Sequence, residues 1–337
     1  MSTPVTDWKE EVTPDEDARF LRHAEYLRDL QRARKYVARG LHVKQNLGLA
    51  AELVIDEALP EHARHGLGAK PGRYSAYVRI SNGAGGRQHD RKGDIRGFAL
   101  KVVGVDGKKV IPGMESARTQ DFLLINHPTT AVRNADEFLH LVRALQNPLL
   151  LLPRLIGGVG FGRALGILKK AGKDVGVKVV SVATTPYFSA APIAWGPYAV
   201  KVSIFPRTKD DAGAKPGSAP DYLGEELTKR VQAGPVVYDF RIQHYTDPVS
   251  TPIEEHDKEW QAPWLTIGTL TIPQQDPSSP RGQKVTDFVE KASFDPWHAL
   301  VEHKPIGNMM RARNHAYRLS GLERKAAPEP DGTERFE

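Results

Sequence analysis

Arg313 and Tyr317 stand four residues apart in the segment Asn308–Leu322, whose composition predicts a helix. Residues at this spacing lie on one helix face and can touch. A tyrosine normally loses its proton at about pH 10, and a neighbouring guanidinium favours the phenolate. A phenolate is a hard anionic ligand that suits ferric iron. On the spacing alone, an ordinary surface contact between an arginine and a tyrosine is the better explanation, because such pairs are common on helices.

Two further pairs carry polar groups that suit acid–base chemistry. Arg39 and His42 lie where a predicted helix meets a predicted strand, and Arg79 and Ser81 alternate along a second strand. A neutral imidazole can take a proton from one oxygen of a peroxide and return it to the other. Alternation puts Arg79 and Ser81 on one face, where the hydroxyl can orient a histidine. The ordinary alternatives are a histidine at a helix end and an outward polar face.

Strand-like runs occupy the middle of the chain, with helical segments before, among and after them. The predicted helices are 15–38, 135–145 and 308–322, and the predicted strands are 48–55, 74–81, 97–105, 122–126, 198–205, 235–244 and 264–272. Such an order indicates the α+β class, because strands and helices do not alternate regularly. No glycine-rich nucleotide-binding motif is present.

The composition narrows the classes of function. The 337 residues include no cysteine, which excludes disulfides, thiolate nucleophiles and cysteine-ligated metals. The net charge of +6 comes from 47 basic and 41 acidic residues without a basic, aromatic-rich stripe, so nucleic-acid binding is not expected. Met1–Asp17 is polar and lacks the apolar core of a secretory signal. We therefore expect a cytoplasmic location.

Leu149–Leu168 is the most apolar part of the chain. Pro153, Arg154, Arg163 and several glycines interrupt it, so a membrane-spanning helix is not predicted. We expect a packed helix-loop instead. Two other roles stay open: an entrance for apolar substrates and a weak contact with lipid or a membrane surface. His62 and His65 could share a helix face and bind a metal, but no third ligand is evident beside them.

Taken together and in order, these segments resemble the catalase family. Arg39–Lys44 is similar to the family's distal segment, in which an arginine precedes the catalytic histidine by three residues. Arg313–Tyr317 matches the proximal R-x-x-x-Y pattern. Other similar stretches are Val78–Ser81, Asp94–Lys101, Thr119–Leu123, Trp264–Thr271 and Phe294–Pro296. Each motif is weak alone, and the specificity of the resemblance comes from their collinear order between Ala38 and Arg324.

The resemblance implies a catalase-like antiparallel β-barrel core with helical additions and a haem b cofactor. It implies that Tyr317 is the ligand of the haem iron and that Arg313 holds it as the phenolate. It makes His42 the distal acid and base, oriented by Ser81. The implied partners of the haem propionates are Arg39, Arg79 and Arg324. The implied organisation is an N-terminal helical arm (1–37), a haem-binding core (38–324) and a disordered tail (325–337).

The resemblance also implies an activity: a small, divergent catalase-related haem peroxidase. Such an enzyme reduces hydrogen peroxide or organic hydroperoxides through a ferryl intermediate, with a small-molecule electron donor, and is commonly a homo-oligomer. Ala117 stands where the family carries a distal asparagine, which favours larger or organic hydroperoxides. Two alternatives keep the scaffold: an isomerase or dehydratase of lipid hydroperoxides, and a haem- or lipid-binding protein without turnover.

Overall fold

An antiparallel β-barrel forms the centre of the protein. The computed structural model describes residues 4–34, 38–208 and 215–336. Its strands are β1 Gln45–Ile55, β2 Gly72–Asn82, β3 Arg96–Val103, β4 Thr119–Ile125, β5 Tyr187–Phe188, β6 Ile193–Trp195, β7 Tyr198–Pro206, β8 Val236–His244 and β9 Trp264–Ile272. Their order is β5-β4-β3-β2-β1-β9-β8-β7-β6, and β5 also pairs with β7. Eight strands therefore close the barrel, and β6 adds to β7 at its margin.

The barrel interior is filled by alternate side chains of the long strands, since successive residues of a strand point to opposite faces. Leu49, Val78, Phe98 and Phe240 are fully or almost fully buried there. The outer face of β2 and β3 is different in character. It carries Arg79 and Ser81 on β2 and Gly97, Ala99 and Lys101 on β3. Small and polar residues thus occupy this outer face, and α6 contacts part of it at β2.

Seven α-helices lie around the barrel in the described residues. They are α1 Glu16–Arg32, α2 Ala135–Leu145, α3 Leu151–Val159, α4 Phe161–Val175, α5 Tyr222–Ala233, α6 Pro280–Lys291 and α7 Asn308–Glu323. Helix α1 packs along α7, and α6 packs on β1. Helices α2, α3 and α4 share a separate apolar cluster. None of the helices in these residues is long and apolar enough to cross a membrane.

The expected antiparallel barrel with helical additions is confirmed, and the predicted long strands are all present. The first helix is shorter than predicted and ends at Arg32; residues 35–37 of the prediction lie outside the described residues. Two helices were not predicted. The apolar spacing of Leu223, Leu227 and Val231 could have revealed α5. Helix α6 buries only two side chains and carries little such signal.

Residues 325–336 lie against the barrel, in place of the disordered tail expected from their composition. The Lys101 ammonium, which is fully buried, donates to Asp121 and to Glu329 at 2.7 Å. Phe336 packs against Tyr77 and Phe288. A buried ammonium needs carboxylate partners, so Glu329 is held by long-range charge that local composition does not reveal. The division into arm, core and tail stays a prediction.

Candidate functional site

His42 lies just before β1 in an unusual backbone conformation. Its φ is 53°, in the left-handed region that non-glycine residues rarely adopt. Two hydrogen bonds hold it there: the His42 amide donates to the Gly83 carbonyl at 3.0 Å, and Arg79 Nη2 donates to the His42 carbonyl at 3.0 Å. The His42 Nδ1 is 3.0 Å from Ser81 Oγ. Backbone and side chain are therefore both fixed, which leaves Nε2 for chemistry.

The contact between His42 and Ser81 requires a glycine on the neighbouring strand. Gly97 of β3 pairs with Ser81 of β2. A Cβ atom at position 97 would lie 2.5 Å from His42 Nδ1 and 2.8 Å from Ser81 Oγ, closer than real Cβ contacts. Gly97 is therefore a part of the site that sequence reasoning did not single out, although it lies in the family-like run Asp94–Lys101.

The imidazole of His42 is neutral at ordinary pH. Burial, and after it the positive charges of Arg79, Arg313 and Arg39, lowers its pKa to about 3. His42 thus lies within electrostatic reach of Arg313 on α7 and of Arg39 and Arg79. A neutral imidazole with one free nitrogen is the form that can accept a proton.

Arg313 and Tyr317 form the contact that their spacing predicts. Arg313 Nη2 donates to the Tyr317 hydroxyl at 2.8 Å, and the guanidinium lies 5.0 Å from the centre of the ring. Helix α7 is held in place by Arg311, which pairs with three carboxylates on other segments: Glu10, Glu16 and Glu254. The phenol is thus presented by an anchored helix beside a permanent positive charge.

Arg39, Arg79 and Arg324 converge on one place, as the resemblance implies. Arg39 Nη2 and Arg324 Nη2 both donate to the carbonyl of Ala292, at 2.9 and 2.8 Å. Arg39 and Arg79 both pair with the carboxylate of Glu290, at 2.9 Å. Glu290 belongs to α6, so sequence reasoning missed it along with its helix.

The arginine cluster carries more positive charge than its carboxylate neutralises. Burial, Arg79 and Arg324 hold the pKa of Arg39 well below its usual range, and burial lowers the pKa of Arg324 to about 10. Three guanidiniums and one carboxylate leave a formal charge of +2. A ligand with two carboxylates would neutralise it, because arginine pairs with carboxylates in bidentate geometry. The two propionates of haem fit this requirement.

The outer face between these groups has the character of a cofactor surface. Ala99, Leu123 and Ile125 are only partly buried there, although the barrel side of the same strands is fully packed. Gly97 pairs with Ile125, and Ala99 pairs with Leu123. Small or apolar side chains thus lie beside His42 and Ser81. The donor set, the charge balance and this surface together fit a haem between the barrel and α7.

Ala117 does not reach this site. It lies in the turn before β4, where its amide donates to the Met114 carbonyl. Strand β4 begins opposite Val103, and six strand residues, or about 20 Å, separate Val103 from Gly97. The expectation that Ala117 shapes the distal pocket is therefore not met. Asn126, which follows Ile125, the partner of Gly97, carries a side-chain amide at the Gly97 end of β3. Its Oδ1 accepts a hydrogen bond from the Arg96 backbone amide at 2.7 Å.

The histidine pair His62 and His65 forms no metal site. His62 packs edge-on against His244, and His65 lies beside Tyr198. Among the residues described, no group of three or more His, Cys, Asp or Glu side chains could hold a metal ion.

Comparison with known proteins finds one similar sequence and a set of similar structures. A catalase-related peroxidase of Mycolicibacterium paratuberculosis is 27% identical over 281 residues, covering 76% of this chain and 81% of the relative. No protein-family model matches the sequence. A bacterial catalase superimposes with a TM-score of 0.64 at 18% identity, over 97% of this chain and 63% of the catalase. Catalase A from Saccharomyces cerevisiae gives 0.63 at 18% identity, over 97% and 67%.

The chain therefore has the catalase fold, and it spans about two thirds of the length of these catalases. The predicted fold, a catalase-like barrel with helical additions, is confirmed by these superpositions. Its sequence is also similar to that of the catalase-related peroxidase over 76% of the chain.

Proposed function

We propose that this protein is a catalase-related haem peroxidase that reduces hydroperoxides, with haem b held between the outer face of β1–β4 and α7. One observation carries the proposal. The His42–Ser81 pair and the Arg313–Tyr317 pair occur together with the arginine cluster, whose formal charge of +2 would be neutralised by a ligand with two carboxylates. The name of the related peroxidase supports the reaction class.

The residues have distinct tasks in this proposal. Bound haem would supply the iron that accepts a peroxide oxygen and the redox chemistry that follows. Tyr317 would hold the iron, and the Arg313 guanidinium would favour the phenolate. His42 Nε2 would take the proton of the incoming peroxide and return it to the departing oxygen. Ser81 would hold the ring through Nδ1, so that Nε2 faces the substrate.

The ligand assignment is tested by reconstituting the protein with haemin. Tyr317→Phe should retain the fold, measured by circular dichroism, but lose most bound haem, measured by the Soret band and the iron content. Tyr26→Phe is a matched control, because Tyr26 also lies beneath an arginine, Arg143, at 4.8 Å. Unchanged haem content and spectrum in Tyr317→Phe would remove the tyrosine from its proposed role.

The acid–base assignment is tested in the reconstituted protein. His42→Ala should keep haem but react with peroxide about 10²–10⁴-fold more slowly, the usual worth of positioned acid–base help. His315→Ala, which removes a histidine paired with exposed Asp17, is the control. Stopped-flow mixing with hydrogen peroxide and with an organic hydroperoxide measures the rates. Equal rates in wild type and His42→Ala would contradict the assignment.

The same preparation separates the reaction classes. Oxygen release from hydrogen peroxide identifies a catalase, and dependence on a donor dye identifies a peroxidase that uses a small-molecule electron donor. Conversion of a fatty-acid hydroperoxide without a donor identifies an isomerase or dehydratase. A haem spectrum without turnover identifies a binding protein. The cytoplasmic location and homo-oligomeric assembly remain predictions, the second checked by sedimentation.

A further inference from the structure

Large apolar side chains are exposed on the surface formed by residues 149–178. This segment contains the end of the connection from α2, followed by α3 and α4. We call this surface the hairpin face. Leu149 is 91% exposed and Phe161 is 64% exposed. Its other exposed apolar residues are Leu150, Leu152, Leu165, Val175 and Val177. Leu155, Ala164 and Ile167 point the other way, into the cluster that joins these helices. Helices α3 and α4 are thus apolar on two faces, and packing within the protein accounts only for the buried face.

No described part of the chain covers the hairpin face. A Cβ atom built at any of five glycines in it would have no neighbour within 4 Å. These glycines are Gly157, Gly160, Gly162, Gly166 and Gly172. A large uncovered apolar patch marks a surface that meets another apolar phase or a partner.

The charge on the hairpin face is one-sided. Residues 149–178 contain six basic side chains and a single acidic one, Asp174, which is buried and pairs with Lys170. Arg163 pairs with Glu137 and Asp257. Four basic residues make no ion pair with the described parts of the chain: Arg154, Lys169, Lys173 and Lys178. All four are exposed.

The exposed stripe of α4 is apolar in its first half and basic in its second half. Phe161 and Leu165 occupy the first two turns of the exposed stripe, and Lys169 and Lys173 continue it at spacings of four. An amphipathic helix with aromatic and leucine side chains beside lysines is suited to the interface of an anionic bilayer. Two copies of this face would repel each other, because each carries unpaired positive charge and no exposed negative charge.

The end of α4 contacts the loop between β2 and β3, which also contacts the candidate site. The carbonyl of Val175 lies 2.4 Å from a Cβ built at Gly93, so α4 ends against the loop between β2 and β3. The carbonyl of Asp174 is 3.0 Å from His127 Nε2, just beyond β4. The same loop begins at Gly83, whose carbonyl binds the His42 amide. A bilayer that meets the hairpin face would therefore lie on the side of the molecule where this loop leads to His42.

We propose that the hairpin face docks this protein peripherally onto an anionic lipid bilayer, with Leu149, Phe161 and Leu165 inserted and Lys169 and Lys173 on the headgroups. The docking itself needs no haem. Its functional meaning, that hydroperoxides of bilayer lipids reach His42 directly, rests on the proposed function. Flotation of the protein with vesicles tests the docking independently of activity.

The experiment uses phosphatidylcholine vesicles with and without 30% phosphatidylglycerol, a content of about one third chosen to give a clear negative surface. The full-length protein should float with the anionic vesicles and release as salt rises. Phe161→Glu/Leu165→Glu should abolish flotation. Lys169→Glu/Lys173→Glu should weaken it by more than about tenfold, because each basic residue near an anionic surface contributes measurably. Since all four residues are exposed, melting temperatures should be unchanged.

A matched control substitutes glutamate for an exposed apolar residue and an exposed basic residue on another surface. Val249 is 83% exposed and Arg281 is exposed, and both lie outside the hairpin face. Val249→Glu/Arg281→Glu should float as wild type does. Failure of the wild type to float, or equal flotation of Phe161→Glu/Leu165→Glu, would overturn the proposal. So would sedimentation as a dimer that Phe161→Glu/Leu165→Glu dissociates, which would make the face a self-association surface. Peroxide turnover measured alongside shows separately whether the proposed function holds.

Discussion

Glu290 offers the sharpest test of the arginine cluster, because its removal should change two properties in opposite directions. The carboxylate accepts from Arg39 and Arg79 at 2.9 Å, and Arg324 lies against the same stretch of α6. Glu290→Gln keeps the size of the side chain and removes its charge. The cluster then holds three guanidiniums with no carboxylate, and its formal charge rises from +2 to +3.

The loss of the carboxylate should destabilise the haem-free protein. Removing one partner of a fully buried ion pair costs about 3–5 kcal/mol. Glu290 is 37% exposed, however, so water screens part of its charge. We expect about 1–2 kcal/mol, the lower range for a partly exposed pair. Arg79, which is 2% exposed, carries most of this cost because its guanidinium has little access to water.

The same substitution should strengthen the binding of a dianionic ligand. One additional unit of positive charge near two carboxylates is worth on the order of 1 kcal/mol, or about five- to tenfold in affinity. Haemin should therefore bind Glu290→Gln more tightly than wild type, most clearly at low salt. The dimethyl ester of haemin, which lacks both carboxylates, should bind the two proteins equally.

Thermal denaturation of the haem-free proteins and haem transfer to apomyoglobin measure the two quantities. Glu52→Gln is a suitable control, because Glu52 is also 37% exposed and pairs with Arg73, which lies six strand residues before Arg79 on β2. A weaker affinity for haemin in Glu290→Gln would refute the charge balance. An equal gain for haemin and its dimethyl ester would show that the propionates do not meet these arginines.

Two further predictions concern the distal histidine and the buried histidines. Gly97→Ala should displace His42 from Ser81 and slow the peroxide reaction by at least about tenfold, with haem retained. Gly166→Ala, where a Cβ atom meets nothing within 4 Å, should leave the rate unchanged. An unchanged rate in Gly97→Ala would contradict the close packing at Gly97. Burial also lowers the pKa of three other histidines to about 3 or 4: His256, His303 and His244. The unfolded chain binds protons below about pH 6.5 and the folded one does not. Stability should therefore fall from pH 6.5 towards 4, by up to ~1.4 kcal/mol per pH unit for each histidine. A melting temperature equal at pH 7 and 5 contradicts this.

Local pattern predicted the elements well where each element carries its own signal. Helix α2 and strand β9 have the predicted limits, and α7 differs by one residue. Helix α6 was missed because only Val285 and Val289 are buried, too few to show a period. The contact of residues 325–336 with the barrel carries no local signal, because the buried Lys101 that Glu329 pairs with is more than 200 residues away in the chain.

The sequence by itself determined the Arg313–Tyr317 contact, since four residues along a helix bring two side chains together whatever surrounds them. It also placed Arg79 and Ser81 on one strand face. Only the tertiary structure decided that Gly97 makes room for His42, that Ala117 lies far from it, and that Glu290 joins the arginines. These relations depend on strand register and on how α6 packs across the barrel, and both are set by residues distant in the chain.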